Sequence, residues 1–453
     1  MSTQPHLRRV LGLRDLVVVA AAAMGPAFSL ATTMAAMIAS AGSWTWLALA
    51  IVVVLMAMIA AGYQRLGERI RDAGSSYAWI RAAFGPEVGA YGAWVLLVAN
   101  VFAVLATALP AGAYTLDLLA PGAASNGLAV AAVGCAWTIG CALLLWYGLR
   151  PTAMLAFALL AAEIVVVAGA AILSAAHPRP DAVAFTSSAP GWAGILGAIV
   201  VGIWMVDGWE VSASAAEESK GDASVPGAGG LGGLLVTGAL LIAATLGFTR
   251  IGSPAGFEAH QADALAYVGG LLGGAWRPLL SVTVLVSIAA TLQTTLVYLT
   301  RSVYAMGRDG LLPPVLGRLD RRGEPAAAIL LVTGLSTAFC LASGLWATAG
   351  TAFAIALQGT SWFLGVLFTM SAAAAVRLFA RERDKRWTGV VLPGVAALAL
   401  TFVLVAGFLH EEPSPRVFIA VSAIIGLPLA VWRGRTVRRA SKAGAGASLG
   451  SRF

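Results

Sequence analysis

Apolar runs of roughly 20 residues, the length of helix that crosses the hydrocarbon of a bilayer, recur along the whole chain and constrain its fold more than any other feature. Twelve are legible, near 15–40, 43–63, 88–116, 127–147, 152–174, 192–216, 230–250, 278–303, 326–346, 350–375, 388–409 and 417–432. The runs are continuous rather than alternating. They therefore specify helices, which satisfy their own backbone hydrogen bonds in lipid, and not barrel strands. Composition agrees: 59% of residues are hydrophobic and 11% charged, against about 25% charged in a soluble domain. The expected fold class is all-α, a polytopic membrane protein of twelve transmembrane helices forming one domain over 1–453. The first run is too long for the core of a cleaved leader and is followed by eleven more, so it is expected to be retained.

Placing the N-terminus in the cytoplasm puts twenty-five of the 29 Lys and Arg residues on the inner side and leaves Arg179, Arg250, Arg277 and Arg416 outside. This is the positive-inside asymmetry, and one span more or fewer midway would destroy it. Both termini are expected in the cytoplasm, in an inner or plasma membrane. The net charge of +8 follows from the same rule, so the basic tail at 433–453 faces anionic lipid headgroups of the bilayer rather than nucleic acid. Cys135, Cys141 and Cys340 fall within runs, lack metal-ligand spacing and read as small hydrophobes.

Inside the runs there is no nucleophile with its base and no cluster of metal ligands. All four histidines, His6, His177, His260 and His410, lie in loops or at run ends, and no Gly-rich loop ends in Gly-Lys-Ser or Gly-Lys-Thr. The expected protein is not an enzyme, has no catalytic or metal-ligating residues and uses no cofactor. Of 21 Asp and Glu, only Glu163, Asp207 and Glu210 fall inside a run. Ionisable groups at that depth are costly and mark pathways or relays.

Two runs are interrupted. In "AAAAMGPAFSLATTM", residues 20–34, Pro26 lacks an N–H and clashes with the preceding turn, while Gly25 removes side-chain support at the same point. A break there frees carbonyls near Ala22, Ala23 and Met24, which can receive an ammonium group or Na⁺. It also frees the N–H groups that follow, over Gly25 to Ser29, which with the positive dipole end can receive a carboxylate. Ala23, Met24, Gly25, Pro26, Ala27, Phe28 and Ser29 are therefore candidate substrate-binding residues, an ordinary proline kink being the alternative. In the sixth run, "MVDGWE" at 205–210 repeats the pattern, adding Val206, Asp207, Gly208 and Trp209 with Trp204 as an apolar wall or gate. For Trp209, packing is the alternative. Paired interruptions in corresponding positions of two halves point to a secondary transporter with inverted repeats.

At these residues the sequence resembles the amino acid–polyamine–organocation transporter superfamily. In "WMVDGWEVSASAAEESKGDASVP" the matching positions are Trp204, Gly208, Trp209, Glu217, Glu218 and Pro226. In "YQRLGERIRDAGSSYAWIRAAFG" they are Tyr63, Leu66, Ala73, Gly74, Tyr77, Phe84 and Gly85, with Arg71 where the family often has Pro. In "RSVYAMGRDGLLPPVLGRL" they are Arg301, Met306, Arg308, Asp309, Gly310 and Pro313. The resemblance implies a five-plus-five inverted repeat, here 15–174 and 192–375, with two added helices at 388–432. It also implies alternating access around a site formed by spans 1, 3, 6, 8 and 10, amino acids, polyamines or related amines as substrates, and Trp204 closing over the substrate from outside. The first span departs from the family's Gly-Ser-Gly-like sequence, having "MGPAFS" instead.

For coupling, Glu163 sits mid-run in "MLAFALLAAEIVVVAGAAIL". Burial disfavours the charged form of such a carboxyl, which makes it a candidate proton carrier, with a permanently protonated, hydrogen-bonded Glu as the alternative. The resemblance adds that fifth-span ionisable groups in some members stand in for sodium. Ser287, Thr291, Thr294 and Tyr298 share one helix face. Thr291, Thr294 and Thr295 with carbonyls near Ala22 and Gly25 form a candidate Na⁺ site of hard oxygen ligands; interhelical hydrogen bonding is the alternative. Asn100, a further candidate substrate-binding residue, and Gln358 are polar residues at a depth where they could touch substrate, helix-to-helix hydrogen bonds being the alternative. If Asp207 and Glu210 both face the cavity, an amine or cationic substrate gains favour. The expected function is a proton-coupled permease for an amino acid or amine; sodium coupling, exchange, a channel and a non-transporting sensor are the alternatives, and oligomeric state has no sequence signal.

Overall fold

The computed structural model describes residues 7–261, 263–346, 348–410 and 413–450. Its helices are α1 (Leu13–Met24), α2 (Pro26–Ala41), α3 (Thr45–Arg69), α4 (Ser76–Phe84), α5 (Pro86–Leu119), α6 (Gly127–Trp146), α7 (Leu149–Ala176), α8 (Val183–Thr186) and α9 (Trp192–Met205). They continue with α10 (Val211–Ser214), α11 (Val225–Phe248), α12 (Pro254–Ala259), α13 (Ala264–Leu272), α14 (Trp276–Arg308), α15 (Ala326–Trp346), α16 (Ala349–Phe379), α17 (Leu392–His410) and α18 (Pro413–Gly450). Among the described residues β pairing is confined to one isolated parallel bridge between Leu11 and Ser219.

Ten segments are long and apolar enough to cross a membrane, and the protein is an all-helical polytopic membrane protein. The first segment, Leu13–Arg69, spans 57 residues and takes in α1, α2 and α3, so it covers two of the apolar runs. The run at 192–216 becomes the 14-residue apolar helix α9 followed by irregular chain. Each of the other nine segments overlaps one run. The short helices α4, α12 and α13 lie between the runs, where apolar length gives no signal.

Local chemistry sets the helix ends. Proline opens α2 and α5, where its missing N–H costs nothing, and Asn126 and Thr348 cap α6 and α16 by accepting backbone N–H groups. α5 packs on α16, α6, α14 and α18, while α1 packs on α11, α7 and α14. Large apolar side chains such as Leu143, Phe157, Val165 and Leu398 are exposed on the outside, as a surface solvated by lipid requires.

Lipid gives no hydrophobic drive for helices to associate, so small residues that let backbones approach carry the packing. A Cβ on Gly134 of α6 would stand 2.9 Å from the carbonyl carbon of Ala108 on α5. Gly134→Leu should therefore force α6 off α5 and cost about 1–3 kcal/mol, read as a lower melting temperature in detergent. An unchanged melting temperature would refute this close packing.

Candidate functional site

Gly25 joins α1 to α2 at φ +51° and ψ +68°, the left-handed region that favours glycine. Pro26, the first residue of α2, has no N–H with which to continue the ladder. In the second interruption α9 ends at Met205, residues 206–210 form turns, and Gly208 takes φ +109°. The two interruptions meet: a Cβ on Gly208 would lie 2.6 Å from the carbonyl carbon of Ala23 and 2.9 Å from the nitrogen of Met24. Only a residue without a side chain fits there.

A small cavity of about 20 Å³ lies at this junction, room for about one water. Of the residues singled out in the sequence, Ala23, Met24, Phe28, Ser29, Asn100, Trp204, Asp207, Gly208, Thr291 and Thr295 line it, and Glu210 joins them. Ala103, Val211 and Tyr298 complete the lining. Tyr298 belongs to the hydroxyl stripe of α14, and Ala103 lies one helical turn from Asn100, so helical spacing was the available signal for both.

Other expected contacts do not reach the cavity. Trp209 turns into an aromatic cluster, 4.9 Å from the Tyr63 ring and stacked at 5.6 Å on Phe368. Val206 is fully buried in the core. Gly25 packs against Ser287 and Thr291, and Pro26 and Ala27 likewise lie off the lining. Gln358 lines a different cavity, described below. In the candidate cation site, Thr291 Oγ1 donates to the Ala22 carbonyl at 3.3 Å. Thr294 donates back to Ala290 and Thr291, and Thr295 to Thr291, within their own helix, the usual competitor for such hydroxyls.

Glu163 on α7 is 1% exposed. Its Oε1 accepts the Ala27 N–H at 2.6 Å and the Ser287 hydroxyl at 2.6 Å, while Oε2 is buried without a hydrogen-bond partner. The carboxyl thus sits at the positive end of α2 and ties α7, α2 and α14 together. It lies outside the central cavity, behind the first break.

The two ends of the bundle differ. At one end a cavity of about 650 Å³, lined by residues including Thr32, Val200, Gln358 and Ser361, runs down between α2, α9 and α16. One turn deeper on the same faces, Phe28 and Trp204 meet edge-on with ring centroids 6.3 Å apart, forming the partition above the small cavity.

At the other end Arg301, fully buried, holds Glu218 through two bonds of 3.1 and 3.0 Å and Glu324 at 2.7 Å. Burial raises the Glu324 carboxyl above its ordinary range, with Arg301 opposing. The Glu218 carbonyl accepts the Val10 and Leu11 N–H groups, and Arg308 joins Asp72 and Glu217. The three stretches that carry the family resemblance converge here. The resemblance gave Arg301 and Glu218 no role, and Glu324 carried no signal.

An all-helical membrane bundle whose helices break around a small central cavity, with a buried ion-pair network at one end, is the architecture of a membrane transporter. The amino acid permease family profile matches residues 11–428, and the chain belongs to that family. An uncharacterized transporter of Legionella pneumophila is 25% identical over 421 residues, covering 82% of this chain and 84% of the relative.

Gly208→Leu should abolish ligand-induced thermal stabilisation, because its side chain must enter the Ala23–Met24 backbone; normal ligand affinity would count against the junction. Arg301→Met strands two buried carboxyls, a loss of about 3–5 kcal/mol where one partner of a buried pair is removed. Ser75 and Ser76 are fully buried against Tyr298 and Tyr63; cysteines placed there should then label faster from the Arg301 side, whereas an unaltered rate would show that the network does not seal that end.

Proposed function

We propose that the protein is a secondary transporter that moves an amino acid or related amine by alternating access and couples the movement to protons through Glu163. The observation that carries the coupling is the Glu163 bond to the Ala27 N–H at 2.6 Å. A proton on this carboxyl weakens its hold on the positive end of α2, so occupancy by H⁺ and the position of α2 become linked. Phe28 and Trp204 serve as the thin gate, and the Arg301 network as the opposing one.

In this reading the chain crosses the membrane twelve times. Segment Leu13–Arg69 contributes two crossings, and α9 with 206–210 and α10 contributes the sixth. Residues 15–174 and 192–375 are inverted five-helix repeats, 388–432 the added pair and 433–453 a basic tail. Both termini and the Arg301 network face the cytoplasm of a cell whose inner or plasma membrane holds the protein. The substrate is a small molecule, with no nucleic acid partner.

Sodium coupling is the second reading, favoured by the Thr291 hydroxyl reaching the Ala22 carbonyl beside Gly25. It predicts uptake that requires Na⁺ at constant pH.

A gradient of one pH unit stores about 1.4 kcal/mol per proton, enough for a tenfold concentration ratio. Wild type in proteoliposomes should approach that ratio, and Glu163→Gln should fall to no accumulation while still binding substrate. Undiminished pH-driven accumulation by the variant would remove Glu163 from the mechanism.

A further inference from the structure

The two breaks discriminate between an amino acid and an amine. A substrate carboxylate would need unpaired N–H groups at a half-helix start, and those of the first break, with most of the second, are already engaged. At the first break the Gly25 N–H donates to Ala22 at 3.2 Å, Pro26 has none, and Ala27 donates to Glu163. Phe28 N–H donates to the Ser287 hydroxyl at 3.1 Å and Ser29 N–H to Gly25 at 2.8 Å. At the second, Asp207 N–H donates to Trp204 at 3.1 Å, Gly208 N–H to Glu210 Oε2 at 3.1 Å, and Val211 N–H to Gly208 at 3.1 Å. Each break thus has N–H groups held by one of the protein's own carboxyls, by Glu163 from behind the first break and by Glu210 at the second.

The cavity has the opposite requirement. Asp207 and Glu210 both line it, and its lining contains no Lys, Arg or His. Asp207 Oδ1 is buried without a hydrogen-bond partner. Asn100 commits an amide N–H to Leu96 at 2.9 Å and Ser29 its hydroxyl to Met24 at 2.7 Å. The indole N–H of Trp204 is unbonded, and with the second Asn100 amide N–H and the Tyr298 hydroxyl it makes a set of neutral donors that brings no positive charge against the two acids. Phe28, Trp204 and Tyr298 also line the cavity, and aromatic rings attract cations when desolvated.

We infer that the substrate is an amine cation without an α-carboxylate, its ammonium group received by Asp207 and Glu210 among the rings of Phe28, Trp204 and Tyr298. The inference rests on the transporter reading above. An amino acid would bring its carboxylate beside two acids with no basic side chain to balance it, and like charges in one site oppose each other.

The test uses purified full-length protein and three matched pairs: lysine with cadaverine, leucine with isoamylamine, and phenylalanine with phenethylamine. Thermal shift and proteoliposome uptake are measured for each. At least one amine should stabilise the protein and be taken up, with its amino acid partner about 30-fold weaker or more, the scale for an uncompensated buried charge. Amino acid uptake that equals or exceeds amine uptake in every pair would overturn the inference and leave the transporter reading standing. Absence of uptake in all six cases would overturn both. Asp207→Asn and Glu210→Gln, each checked for monodispersity, should weaken the responding amine about 30-fold, and unchanged affinity in both would overturn the assignment. The wild-type comparison does not depend on either variant folding.

Discussion

The contact of Gly208 with the Ala23–Met24 peptide organises the centre of this protein. Hydrocarbon satisfies no backbone group, so a broken helix is tolerated only where protein or a polar cavity takes over the freed donors and acceptors. Here the two breaks pack directly on each other, so close that Gly208 allows no side chain against the Ala23–Met24 peptide. Freed backbone groups are met by Ser29, Ser287, Thr291, Glu163 and Glu210, which come from the breaks themselves and from α7 and α14.

The same arrangement sets the electrostatics of the small cavity. Carboxyls hold N–H groups at both breaks, and the wall toward the cavity is acidic and aromatic with no basic side chain. Charge of the opposite sign is concentrated at one end of the bundle, where Arg301 and Arg308 draw in the chain near Leu11, the turn after α10 and the loop before α15. A buried arginine bound to two carboxylates is strongly penalised when one partner is lost and contributes little when all are present.

Much of the architecture is legible in the residue order because the controlling physics is local. Apolar length marks the membrane segments, and Gly25 with Pro26 marks a break whatever surrounds it. Asp207 and Glu210 advertise themselves through the cost of placing acids in lipid. The aim of the side chains around Gly208 is not legible: once the chain leaves the helical period, spacing no longer predicts a face, so Trp209 turns to Tyr63 and Phe368 while Asp207 turns to the cavity. Short helices such as α12 and α13 fall below the length at which apolar content is informative.

The sequence by itself determined that this chain is an all-helical membrane protein with two glycine-dependent interruptions and three acids at depth, since length, hydropathy and the absence of a Cβ are properties of single residues and short windows. Tertiary structure alone decided which groups those acids and interruptions meet. Glu163 finds Ala27 across 136 positions and Arg301 finds Glu218 across 83, and no local pattern encodes a partner that arrives only when distant helices pack.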